Sequence, residues 1–197
     1  TSAMEKSYIY ELMIQFYTDL GQFDEAYLIS RTALQLFDIT LPSQFNPLVF
    51  AADFIRLKLQ LRSFKVSELV DLPQATNAHT DITIRLLSAT LKVAYQIKPE
   101  LCVAISIKLV SLCLKHGNTR EAVVGYMVLG VIFLGGVLGN HQAGYEYGQL
   151  SLALLDKYGN DRQRAEVNFV YGYFANSWTH PASHTEQYWN TAYNKGL

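Results

Sequence analysis

Lys98 to Tyr158 reads KPELCVAISIKLVSLCLKHGNTREAVVGYMVLGVIFLGGVLGNHQAGYEYGQLSLALLDKY, three helical patterns in succession with almost nothing between them. Pro99-Glu100-Leu101 opens the first pattern and His116-Gly117-Asn118 closes it. An apolar run from Ala122 to Leu138 follows, then Gly139-Asn140, then Ala143-Gly144-Tyr145-Glu146-Tyr147-Gly148-Gln149-Leu150. Turns this short predict that each helix packs antiparallel to the one before. The stretch holds no residue set that performs a reaction, so the expectation is a helical scaffold.

Ala122 to Leu138 is 17 residues without a charge and reaches the lower edge of a membrane span. Gly125, Gly130, Gly135 and Gly136 dilute its hydrophobicity and its flanks are ordinary hairpin turns, which favours a central helix surrounded by others.

Working outward, one apolar stripe of Tyr10, Met13, Ile14 and Tyr17 predicts a helix over Glu5–Leu20 that Gly21 ends. A second helix runs over Phe23–Phe37, with Asp24 and Glu25 at the positive end of its dipole and Pro42 marking its end region. A third runs over Asn46–Leu61 on Val49, Phe50, Phe54, Leu57 and Leu61, while Arg56, Lys58, Arg62 and Lys65 scatter over a solvated surface. Ser67 to Asn77 reads as the one long irregular connection, apolar enough to lie against the surface. Asp81–Ile97 turns Ile84, Leu87, Leu91, Ala94 and Tyr95 inward. With Glu100–Lys115, the central run, Gln142–Lys157, Arg162–Ser177 and His184–Asn194, this makes nine helices and no sheet.

The first hairpin matches the tetratricopeptide pattern, in which a glycine ends one helix, an aromatic follows, and small residues recur on the next. Gly21 is followed by Phe23, Ala26, Ser30, Ala33 and Leu34. Degenerate copies start at Gly117, with Thr119, Ala122 and Tyr126, and at Gly139, with His141, Gly144, Gly148 and Ser151. Gly21, Gly117 and Gly139 are therefore expected to end helices, and Ala26, Ala33, Gly144 and Gly148 to face a neighbour closely.

With 197 residues, 50% hydrophobic and only 17% charged, the chain fits one helical-repeat domain over 1–197 that is a piece of a longer array. A formal charge of -1 favours neither nucleic acid nor an acidic membrane as partner. Cys102 and Cys113 lie on one predicted helix roughly 16 Å apart, too far to bridge. Buried thiols suit a cytoplasmic location. Thr1-Ser2-Ala3 reads as a domain cut rather than a signal peptide.

No catalytic, cofactor or metal site is predicted. His180 and His184 have a ligand-like separation, but Pro181 between them disfavours helical geometry and neither cysteine is near in sequence. There is no phosphate loop and no nucleophile elbow. Asp24-Glu25, an adjacent acid pair, is explained by a helix start. Among the 13 tyrosines and two tryptophans, many fall between Tyr145 and Tyr193. Such rings either line a groove for a peptide or sugar or bridge core and water. Tyr145, Tyr147, Tyr188, Trp189 and Tyr193 are the candidate interaction surface, since Trp189 and Tyr193, four apart, share a helix face open to self-association.

Ser67-Glu68-Leu69-Val70-Asp71-Leu72-Pro73, Lys98-Pro99-Glu100-Leu101, His116-Gly117-Asn118, Tyr145 through Leu155, and Val170-Tyr171-Gly172 before Trp178 resemble the long helical region of large bacterial multidomain signalling proteins. In that family a serine/threonine-kinase-like domain and an AAA-type ATPase domain precede this region, and sensor and histidine-kinase or other output domains follow it. The resemblance covers roughly Leu41 to Trp178. It implies an all-α chain of antiparallel hairpins in a tetratricopeptide-like, right-handed superhelix. That superhelix would be cytoplasmic and would couple a nucleotide switch to an output by touching neighbouring domains or a signalling partner. None of the family's catalytic motifs falls in these residues. The alternatives are a ligand- or peptide-sensing superhelix and an all-α carbohydrate-active enzyme. The latter needs two acids to converge among Glu146, Asp156, Glu166 and Glu186.

Overall fold

Helix-ending glycines and capping asparagines set the element boundaries in the computed structural model, which describes residues 3–42 and 44–196. Thr1 and Ser2, read above as part of a domain cut, lie outside the described residues. Gly21, Gly117 and Gly139 each end a helix with positive φ, at +71°, +101° and +69°, the conformation that glycine adopts without a side-chain penalty. At Gly117 a Cβ would also stand 2.2 Å from the Pro73 carbonyl oxygen, so only glycine fits. Asn77, Asn140 and Asn160 accept backbone N–H bonds from the first turns that follow them.

The described residues are all-helical, with no strand. The ten α-helices are α1 (Ala3–Asp19), α2 (Phe23–Gln35), α3 (Pro47–Leu61), α4 (Ala78–Ile97), α5 (Pro99–His116), α6 (Ala122–Met127), α7 (His141–Tyr158), α8 (Asp161–Val170), α9 (Ser177–Thr179) and α10 (Glu186–Gly196). The central run continues α6 as a π-helix over Val128–Val137. A second π segment, Tyr171–Asn176, joins α8 to the single turn α9, which raises the expected nine helices to ten. No described helix is long and apolar enough to cross a membrane.

By contacts the chain divides into two compact units, the first made of residues up to Leu61 with Pro73–Gly117, the second of Arg62–Leu72 with Asn118 onward. In the first unit α1 packs on α2 and α4, α2 on α4, α4 on α5, and α5 on α3. Ile84, Leu87, Leu91 and Ala94 of α4 and Leu101, Ile105 and Leu109 of α5 are buried, as are Ala26 and Ala33 of α2. Cys102 and Cys113 are buried in α5. The outer helices contribute little, α1 burying only Ser7 and Ile14 and α3 only Leu57. Two residues expected inside are exposed. Val49 sits one residue, or about 100°, around α3 from Phe50, and Tyr95 keeps its ring partly in water in the last turn of α4.

The second unit is built by seating rings on glycines. A Cβ on Gly130 would lie 1.9 Å from the Cβ of Tyr147, and one on Gly148 would lie 2.8 Å from the Tyr171 ring. Trp178 covers Gly135 and Gly144 together, and Trp189 lies over Gly172. In an α-helix, residues five apart point about 140° away from each other. The i→i+5 turns of the π segment, seen in the 2.9 Å bond from the Leu138 N–H to the Phe133 carbonyl, bring such residues back toward one face. Gly130 and Gly135 can therefore both receive rings.

The connection expected to be irregular is partly ordered as a 3-10 helix, Val66–Asp71, packed on α7. Leu69 is fully buried there. Its carbonyl accepts from Asn118 Nδ2 at 2.7 Å, and Asn118 Oδ1 in turn accepts from the Tyr126 hydroxyl at 3.3 Å.

Candidate interaction surfaces

The five aromatic candidates divide by environment. Tyr147 is 3% exposed and packs against Gly130, so it is core and not surface. The helix expected over Gln142–Lys157 is observed, but its sequence could not tell which neighbouring glycine would receive the ring. Burial, then the nearby Glu146 carboxylate, pushes its hydroxyl up to about 12. Tyr188 is half-buried, its ring 4.7 Å from that of Tyr171 in an edge contact. Tyr145, also half-buried, lies 6.3 Å from Tyr171 and 5.4 Å from His180 between ring centres. Trp189 is 48% exposed and Tyr193 68% exposed on α10. They share an outward side, but the indole edge of Trp189 also rests on Gly172.

Tyr171, named in the sequence only within Val170-Tyr171-Gly172 and not among the five surface candidates, is the hub of these rings. Its hydroxyl accepts from Gln149 Nε2 and is hydrogen-bonded to Tyr145. Burial, followed by the Tyr188 and Tyr145 hydroxyls, raises its pKa well above the ordinary phenol range. A phenol held neutral in this way orients its neighbours and supplies no proton at neutral pH.

Beside this hub lies a groove of about 760 Å³. One wall is a single face of α7, formed by Gln142, Tyr145, Glu146, Gln149 and Ala153. The other is Phe64, Lys65, Val66, Ser67 and Val70. Gln142 Nε2 donates to Glu146 Oε1 at 2.8 Å, and the Lys157 ammonium donates to the Val70 carbonyl at 3.0 Å, tying the two walls together. The groove offers amides, one carboxylate and a phenol over an apolar floor. That set can hold a polar chain or ring by hydrogen bonds.

His180 and His184 stack with ring centres 5.6 Å apart, and Thr179 Oγ1 lies 2.8 Å from His180 Nδ1. Among the described residues no group of three or more His, Cys, Asp or Glu side chains could hold a metal ion. Of the four acids weighed for catalysis, Asp156 pairs with Arg164 at 2.9 Å and Glu166 with Arg162 at 3.4 Å. Glu146 bonds Gln142 in the groove, and Glu186 lines a shallow pocket with Ser183, His184, Gln187 and Asn190.

Sequence reasoning also missed a surface in the first unit. Ile9, Leu12 and Phe16 of α1 and Leu20 in the turn after it are more than half exposed, as are Leu48, Ile55 and Leu59 of α3. The signal was available, because these residues recur at helical spacing just as the inward ones do. Searches against protein-family models, curated proteins and solved structures return no match to this chain.

Proposed function

We propose that this chain is a non-catalytic helical scaffold that binds protein, either another domain of its own polypeptide or a separate signalling partner. The observation that carries this reading is the gathering of half-exposed large apolar side chains into stripes on α1, α3 and α10. Large contiguous apolar surface of this kind marks a binding face. The family resemblance adds the finer content: a tetratricopeptide-like superhelix in a cytoplasmic bacterial signalling protein, coupling a kinase-like or ATPase domain to an output.

Site-specific photo-crosslinking in cells that make the whole natural protein is the test. A crosslinking residue at Leu12, Leu59 or Trp189 should capture one defined protein segment, and the same residue at exposed, polar Gln35 should not. Equal labelling from all four positions would overturn the scaffold reading.

A second reading, sensing of a ligand or peptide, is favoured by the groove along Gln142, Tyr145, Glu146 and Gln149. Ala153→Trp fills that groove. Under the sensing reading it abolishes the response to ligand, and under the first reading it leaves the stripe crosslinks intact.

A further inference from the structure

The first unit has two helices that are each covered on one side only. On α1 and the turn that follows it the uncovered apolar residues are Ile9, Leu12, Phe16 and Leu20, spaced three, four and four; on α3 they are Leu48, Ala52, Ile55 and Leu59, spaced four, three and four. Each spacing holds its set on one face of a helix. Leu12 is 71% exposed and Leu48 is 82% exposed.

We propose that these faces are complementary and that the first unit docks head-to-tail on a second copy of the chain, α1 of one molecule against α3 of the next. This deepens the scaffold reading, on which it rests, by naming the partner of these two faces. Charge selects the pairing. Helix α1 carries Glu5, Glu11 and Asp19 against one base, Lys6, and Glu11 is engaged with Arg85 at 2.5 Å. Helix α3 carries Arg56 and Lys58 against one acid, Asp53. That acid is shared between Arg56 at 3.1 Å and Lys108 at 3.6 Å, which leaves the helix basic. Pairing α1 with α1 brings acids together and pairing α3 with α3 brings bases together. Only the mixed contact is attractive on both counts.

Size fits as well. Tyr8, Ile9, Leu12, Phe16 and Leu20 expose roughly 100 Å² each, or about 500 Å² of the ~800 Å² that one side of a standard interface buries. On the receiving side, Leu48 and Val49 border a groove of about 660 Å³ between α3 and α5 that can take protruding side chains. Because the two faces differ, the contact is heterologous and does not stop at a dimer unless a ring closes.

Sedimentation velocity on the whole chain and two neutral variants tests this. Leu12→Gln with Phe16→Gln disables the α1 face, and Ile55→Gln with Leu59→Gln disables the α3 face. Wild type should grow in mass with concentration, and each variant alone should stay monomeric. An equimolar mixture should form a 1:1 complex and go no further, since only one intact pair of faces remains. Circular dichroism checks that each variant is folded, and Leu48→Gln replaces the α3 pair if that pair alters the spectrum. A wild type that is monomeric at every concentration overturns the proposal. So does a single variant that still dimerises, or a mixture that stays monomeric while wild type associates. Stripe-specific crosslinks to a different protein, with a monomeric wild type, would sink this proposal and leave the scaffold reading standing.

Discussion

The two units solve the same packing problem in different ways. The first surrounds α4 and α5 with branched aliphatic side chains and leaves α1 and α3 half bare, whereas the second draws its helices together until rings rest on glycine backbones. A ring on a glycine has no room to adjust. An outer helix with one covered side has no packing of its own to lose on the other. The difference predicts that substitutions which add atoms are severe in the second unit, and that removing apolar atoms from the outer faces of the first is nearly silent.

The harshest test of this contrast is Gly130→Ala. The new methyl would stand 1.9 Å from the Cβ of Tyr147, which is tied directly to the backbone and cannot swing aside. The loss should be about 3 kcal/mol or more in urea unfolding, even after the gain of about 1 kcal/mol in helix propensity. Gly148→Leu should follow at about 1 to 3 kcal/mol, because the Tyr171 ring and Ala175 must both move. Equal tolerance at Gly130 and at Gly136, where a Cβ would meet only the Val131 carbonyl oxygen at 3.6 Å, would erase the distinction between a seated ring and an open glycine.

Alkaline pH gives each unit its own signature. Burial pushes the Cys102 thiol in the first unit up to about 12, and the Tyr147 phenol in the second unit also up to about 12. In both cases the unfolded chain loses its proton first. The stabilising contribution is complete below the unfolded pKa, about 9 for the thiol and 10 for the phenol, and is lost as pH rises toward 12. For Tyr147 the loss amounts to about 2 to 3 kcal/mol. Tyr147→Phe should flatten the fall above pH 10, and Cys102→Ala the part that begins a unit lower. A stability profile flat from pH 9 to 12 in the wild type would contradict the burial of both groups.

A smaller effect separates the two outward rings of α10. Trp189→Ser strips the indole from Gly172 and should cost about 1 to 2 kcal/mol, while Tyr193→Ser should stay within about 0.5 kcal/mol. Similar losses at both positions would place Tyr193 in the unit's own core.

Helix positions were legible in the sequence because their ends carry local chemistry. Gly21, Gly117 and Gly139, with Asn77, Asn140 and Pro99, mark boundaries within a few residues of those observed. On α4 the expected inward residues Ile84, Leu87, Leu91 and Ala94 are buried, but so are Ile82, Leu86, Val93 and the polar Thr83 and Thr90, because neighbours cover most of that helix. The inward face was not legible on α1, where Tyr10, Met13, Ile14 and Tyr17 compete with Ile9, Leu12, Phe16 and Leu20 at the same period. The first π segment left no compositional mark beyond Gly130 and Gly135, five apart, and the second holds only Gly172, since a shift in hydrogen-bond register changes no residue type. Six residues around Leu69 are too few to show a helical period. The groove depends on residues 64–70 meeting α7, more than seventy positions later, and no local pattern encodes that contact.

A scaffold of this kind requires that the outer stripe of α1 belong to a partner and not to this chain's own core. Replacing Ile9, Leu12, Phe16 and Leu20 together with glutamine and following urea unfolding, at a protein concentration where the wild type is monomeric, tests this. The predicted result is a transition free energy within about 1 kcal/mol of wild type, because exposed side chains lose little when made polar and glutamine is a good helix former. A loss of several kcal/mol would mean that these four side chains hold the first unit together, and the binding face would have to be sought elsewhere.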